Sequence, residues 1–159
     1  MAKLKCDSYS GTVIIYKSKT LLHCSTYMYN ELDEEKYESG VIENPKEIEI
    51  TSNESCEQSC SVEFTIPKDY LTDNFKSILS KAELVVEVGL ADVPLLINIG
   101  GKNLEFSDKQ NSKTKSLNIT HLFASLEQEI IIVMISANGT GTAIINDLHI
   151  RLTVESYGI

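Results

Sequence analysis

The stretch Lys115–Phe123, KSLNITHLF, decides how the rest of the chain is read. Leu117 and Ile119 alternate with Ser116 and Asn118, as the two faces of a strand do, and the alternation then stops at Thr120-His121-Leu122-Phe123. Thr120–Phe123 then read as one helical turn after the strand. Thr120 reads as the N-cap of that turn, its hydroxyl accepting from backbone N–H groups two or three residues on. Leu122 and Phe123 then plug the end of the sandwich. His121 points to solvent or caps a carbonyl, a bystander rather than a catalytic group.

Working outward, Val13–Tyr16 and Leu21–Met28 read as strands joined by KSKT. Residues 30–44, with ELDEEKYESG, read as a short helix or a mobile loop. EIEIT (47–51) alternates with one wet face, and CSVEFTIP (60–67) alternates until Pro67 ends it. KDYLTDNFKSILSKAE carries Tyr70, Leu71, Phe75, Ile78 and Leu79 at helical spacing, which places one short helix near residues 69–80, capped by Asp69 or Thr72. LVVEVGL, PLLINIGG, NLEF, SLNI, EIIIVMISA and TAIINDLHIRLTVES follow as strands, with the Asn-Gly of ANGTGT as a hairpin signal between the last two. The missing helix–strand alternation argues against a parallel α/β fold. The expectation is all-β: one antiparallel β-sandwich domain over residues 1–159, of jelly-roll type, with eight to ten strands. Its core is expected to include Val13, Ile15, Leu22, Val62, Phe64, Leu84, Val86, Val88, Leu96, Leu117, Ile119, Ile131, Val133, Ile135, Ile150, Leu152 and Val154. EIIIVMIS is so apolar that it must be a central strand or be paired with another subunit.

At 159 residues the chain is long enough to bury a core without covalent staples. Its net charge of −9 argues against nucleic acid or an anionic membrane as partner. Residues 31–63 hold eleven acids and two bases, so the whole excess sits there. No window is apolar for eighteen residues, so no membrane span is expected. The N-terminus has no apolar core of a signal peptide. The expectation is synthesis in the cytoplasm and, if the chain acts outside, a place on a virion or a cell or spore surface.

From Lys81 to Ser156 the order of segments, with Leu117, Ile119, Thr120, Leu122 and Phe123 leading a strand into a one-turn helix, resembles the jelly-roll modules of bacterial surface proteins, some carbohydrate-binding modules and growth-factor propeptides. The resemblance implies an architecture and names no ligand.

Four cysteines, Cys6, Cys24, Cys56 and Cys60, stand as candidates for free thiols, disulfides or, with His23, a zinc site. Cys56 and Cys60 are spaced C-x3-C, unlike the close pairs of zinc ribbons. The acidic run Asn30–Gly40 offers oxygen ligands for a structural Ca²⁺ but lacks a D-x-D-x-D-G loop. No cofactor is expected beyond such a structural Ca or Zn. His149, between Leu148 and Ile150, reads as lying on the wet face of a strand. G-x-S-x-G, H-E-x-x-H and P-loop signatures are missing, so the chain does not read as an enzyme.

Three functions remain. The first is a structural or assembly subunit of a phage, spore-surface or similar particle, which self-associates through protein contacts. The second is a glycan-binding module with Tyr27 and Tyr29, two apart on one strand face, as its platform. The third is a small hydrolase or isomerase on a sandwich scaffold.

Overall fold

Alternating strands with one apolar face each bury that face by stacking as two sheets. The structure, a computed structural model, describes residues 8–25, 37–42, 46–52, 57–107 and 110–157. Among them are eleven strands: β1 (Ser8–Tyr16), β2 (Lys19–Ser25), β3 (Tyr37–Ile42), β4 (Ile48–Ser52), β5 (Glu57–Thr65), β6 (Leu79–Ala91), β7 (Leu95–Ile99), β8 (Lys102–Phe106), β9 (Gln110–Asn118), β10 (Ile130–Ala137) and β11 (Gly141–Tyr157). Helix among the described residues is confined to a 3₁₀ turn at Lys68–Leu71, α1 (Asp73–Ile78) and α2 (Thr120–Ala124).

One sheet runs β1-β11-β6-β9, with β4 also on β11, and the other runs β3-β2-β5-β10-β7-β8. β1 pairs with residues 149–157 of β11 and β4 with residues 141–145, while β6 takes the opposite edge. From β4 onward, β4-β11-β6-β9 faces β5-β10-β7-β8, and only the β7–β8 link stays within one sheet. That is the strand order of a jelly roll. The segment whose order resembles jelly-roll modules supplies β6 to β11. β1 continues the β4 edge along β11, and β2 and β3 widen the other sheet beyond β5.

Two local expectations change. The stretch 30–44, read as a helix or loop, contains β3, which pairs with β2 along its length from Tyr37 to Ile42. A strand partner here outweighs charge-rich local composition. Asn138-Gly139 does not close a hairpin, because β10 and β11 lie in different sheets. Both edges of β10 are taken, by β5 and β7, so the chain must cross over. The Asn138 N–H donates to the Pro94 carbonyl at 3.0 Å and anchors the crossing.

The helix before β6 begins where Thr72 Oγ1 accepts from the Phe75 N–H at 3.1 Å, so Thr72 is the cap. It stops at Ile78 because Leu79 pairs with Val154 and starts β6. The Tyr70 and Phe75 rings lie 4.7 Å apart over the core's edge.

Inward residues of both sheets form one core, in which Phe64, Leu84, Val86, Val88, Val133, Ile135, Ile150 and Leu152 are fully buried. Leu96 is a correction, since it lies on the outer face and Leu95 is the buried leucine. Ile97 and Ile99 settle the parity, and period-two alternation from them selects Leu95.

At one end of the sandwich α2 seats Phe123 fully buried, with Leu122 packed against the core. Burying a phenylalanine side chain contributes about 2–3 kcal/mol. The cap differs from expectation. Thr120 Oγ1 turns to β6, where it accepts from the Ala82 N–H at 2.9 Å. Asn118 Oδ1 accepts from the Thr120 N–H at 2.9 Å instead. A contact with a neighbouring strand satisfies the hydroxyl better than its own turn does, and the preceding Asn takes the local role. The β7–β8 hairpin turns on Gly100 (φ +56°) and Gly101 (φ +85°) between the paired Ile99 and Lys102, a type I′ arrangement.

Candidate functional site

Where the end of β10, the start of β7 and the end of β8 come together beside β9, there is a concavity of about 730 Å³. Cross-strand pairing puts Ser136, Leu96 and Glu105 in one outward row. Leu95 and Phe106, buried, form the next row inward. Asn138 and Pro94 stand at the rim, joined by the backbone hydrogen bond of the crossover. Lys115 reaches over from the other sheet, donates to the Glu105 carbonyl at 2.7 Å and sits 5.0 Å from the Phe106 ring centre. That position gives the ammonium a cation–π contact as well as its hydrogen bond. Lys102 makes the reverse crossing from β8 to the Asn118 carbonyl of β9, at 3.0 Å. Two edge strands therefore occupy each other's carbonyls with lysines, which hinders pairing with a foreign strand. The concavity presents a carboxylate, an ammonium, an amide and a hydroxyl around Leu96, Pro94 and Phe106.

The same sheet carries an apolar stripe on its outer face. β10 alternates strictly, and its outward residues Ile130, Ile132 and Met134 are 46%, 51% and 44% exposed. Beside them Ser61 Oγ is 3.2 Å from His23 Nε2 and donates to Met134 Sδ. Asn98 Nδ2 donates to Asn103 Oδ1 at 2.8 Å on the other flank. Between Lys19, Leu21, Ser61, Glu63 and Ile132 lies a dimple of about 140 Å³. EIIIVMIS is thus a central strand, with its hydrogen-bonding edges satisfied and one side-chain row left in solvent.

The outer face of the other sheet carries a tightly paired polar cluster. Glu83 is buried, accepts from Arg151 Nε and Nη2 at 3.1 and 2.8 Å, and has Lys81 Nζ at 3.1 Å. Burial pushes the Glu83 carboxyl up, but the hydrogen bonds and charges of Arg151 and Lys81 outweigh it and hold the group below its usual range. A bulge at residues 145–147 of β11 aims Asp147 outward, where its carboxylate meets His149 Nδ1 at 2.8 Å. His149 lies on the outer face as expected, but half-buried and hydrogen-bonded rather than free in solvent. Burial holds Lys17 below its ordinary value, partly offset by Asp147.

Tyr27, Tyr29, Cys6 and Cys56 lie outside the described residues. So does most of the acidic run read as Ca²⁺ ligands. Cys24 stands in β2 opposite Gln58. Cys60 is a free, fully buried thiol on β5, and burial pushes its pKa up to about 12. Among the described residues no three His, Cys, Asp or Glu side chains cluster as metal ligands. His121 is exposed, and its carbonyl accepts from the Ser125 N–H. The concavity itself was not legible in the sequence. Its row joins Leu96, Glu105 and Ser136 from three strands, and no local pattern marks residues that only cross-strand pairing unites.

No family model matches the chain, and no curated protein matches it. Similar solved structures include a family 35 carbohydrate-binding module from Clostridium thermocellum (13% identity, 89% of this chain and 97% of that one, TM-score 0.37). A family two carbohydrate esterase from Cellvibrio japonicus overlaps 96% of this chain at 10% identity and TM-score 0.34. A β-porphyranase of glycoside hydrolase family 86 from Bacteroides plebeius overlaps 97% at 15% identity and TM-score 0.37. This chain spans 35% of the esterase and 34% of the porphyranase. These overlaps are loose, and the jelly-roll architecture rests on the strand order itself.

Proposed function

We propose that this protein is a non-catalytic binding module for a glycan, held in the concavity between β7, β8 and β10. The observation that carries the reading is the row Ser136–Leu96–Glu105, with Asn138 and Lys115 at its margins. A sugar needs hydrogen-bond acceptors and donors for its hydroxyls and an apolar surface for its C–H face. This row offers both within a volume typical of small-ligand sites, about 300–1,000 Å³. A glycan array followed by calorimetry tests the reading. Glu105→Ala and Asn138→Ala are each expected to weaken a bound glycan by about tenfold or more. A hit that both variants retain at full affinity removes the concavity as its site.

The exposed β10 stripe favours a second reading, that of an assembly subunit acting through protein contacts. Large aliphatic side chains exposed in one row on a sheet face are a common mark of such a surface.

A further inference from the structure

We infer that Met134 is a site of oxidation by peroxide, and that Ser61 steers the incoming oxygen so that the folded protein yields chiefly one of the two sulfoxide epimers. The inference is independent of the glycan reading, because Met134 does not line the concavity.

A thioether sulfur carries two lone pairs and accepts hydrogen bonds weakly. Oxygen added at one lone pair gives one sulfoxide epimer, and oxygen added at the other gives the second. A methionine that rotates freely offers both to an oxidant about equally. Met134 does not, because of what lies beside it.

Met134 is 44% exposed on the outward row of β10, so a small oxidant reaches it from solvent. Its cross-strand neighbours are Ser61 on β5 and Asn98 on β7. Asn98 turns its amide to Asn103. Ser61 turns to the sulfur, and its Oγ donates to Met134 Sδ at 3.5 Å. A serine hydroxyl has a single proton. With that proton on the sulfur, the 3.2 Å contact between His23 Nε2 and Ser61 Oγ is a bond in which the imidazole N–H donates. The relay from His23 through Ser61 to Met134 therefore aims the hydroxyl and covers one lone pair. The other lone pair is the one left to an oxidant.

The step is a two-electron oxidation of sulfur. The open lone pair attacks one oxygen of hydrogen peroxide, an S–O bond forms and the O–O bond breaks. The departing hydroxide takes the proton of the transferred hydroxyl and leaves as water, so the sulfide becomes a sulfoxide and the peroxide is reduced. The product places a polar group in the Ile130–Ile132–Met134 row, and sulfoxide reductases return it to the thioether.

Hydrogen peroxide treatment of the intact chain, of the same chain unfolded in guanidinium, and of Ser61→Ala and Ser61→Thr tests the inference. Peptide mapping by mass spectrometry separates Met134 from Met1 and Met28. The two stereospecific methionine sulfoxide reductases, each acting on one epimer, then count the epimers of the Met134 peptide. Far-UV circular dichroism checks that both variants are folded. The expected result is an excess of about threefold or more of one epimer in the native chain, the preference that one modest hydrogen bond supplies. Ser61→Thr, which restores the hydroxyl, should keep that excess, and Ser61→Ala and the unfolded chain should lose it. Equal epimers in the native chain overturn the steering. An excess that Ser61→Ala retains places its cause in the strand face and overturns the role of the hydroxyl. A Met134 that stays reduced in the native chain while the unfolded chain is oxidised overturns the site itself.

Discussion

Leu122 of α2 occupies the space above Gly100 of the β7–β8 turn, so that a Cβ on Gly100 would lie 2.9 Å from both Leu122 methyl carbons. The strand end that breaks its alternation and the Gly-Gly hairpin are therefore two halves of one closure. Gly100 is favoured by its φ of +56°, and a Cβ there would also have to displace the Leu122 methyl groups. Gly101 is required only by its φ of +85°, since nothing lies within 4 Å of a Cβ there.

Gly100→Ala is accordingly expected to destabilise the protein by about 2 kcal/mol, or roughly 4–8 °C in Tm. Gly101→Ala should cost about 1 kcal/mol, from the backbone alone. Thermal melts of both variants decide the matter. Equal losses would mean that the Leu122 contact contributes nothing.

This closure also shows what a sequence reveals and what it hides. The strand, the helical turn and the apolar plug at Leu122 and Phe123 were legible because each follows from a local period. The role of Thr120 was not, because its hydroxyl bonds to Ala82, 38 residues away. The same holds for β3, whose strand state comes from β2, and for Asn138-Gly139, whose turn crosses between sheets because β10 has no free edge. Leu95 and Leu96 were indistinguishable until Ile97 and Ile99 set the parity. The candidate site was least legible of all, since Glu105, Ser136 and Asn138 converge only after three strands pair.

Glu83 ties sheet stability to pH. Its carboxylate is held below its usual range in the folded protein by Arg151 and Lys81, while the unfolded chain titrates near pH 4.3. A depressed folded pKa stabilises the native state above the unfolded pKa, and that stability is lost as pH falls through the folded value. Glu83→Gln should therefore cost about 1–2 kcal/mol at pH 7, because Arg151 and Lys81 are left with a neutral partner. The gap to the unsubstituted protein should close in urea titrations carried below pH 4. A gap that is constant from pH 7 to pH 3 would show that the ion pairs are not its source.

Thr20 presents the opposite case. It is fully buried on β2, and its Oγ1 has no hydrogen-bond partner among the described residues. An unmet buried hydroxyl carries its desolvation cost with no return. Valine has nearly the same shape, so Thr20→Val is expected to stabilise the protein by about 0.5–1 kcal/mol in urea unfolding. A loss of comparable size would reveal a partner for the hydroxyl.

Cys60 provides a probe of opening for the whole sandwich. It lies in the central part of β5, paired with Leu22 on one side and Ile135 on the other, and its side chain is fully buried. With its pKa pushed up to about 12 by burial, the thiol stays protonated at pH 8. Reaction with a maleimide or an aromatic disulfide reagent then requires exposure of β5, and β5 is exposed only when β2 and β10 separate from it. Peptide mapping by mass spectrometry distinguishes Cys60 from Cys6, Cys24 and Cys56. The Cys60 peptide should remain unlabelled for hours in native buffer and become labelled completely in guanidinium. Its native labelling rate should rise about thirtyfold in a variant destabilised by 2 kcal/mol, such as Gly100→Ala, because the open population rises by that factor. Rapid labelling in native buffer, or a rate indifferent to that substitution, would show that the strand opens locally and that the sandwich does not behave as one cooperative unit around this residue.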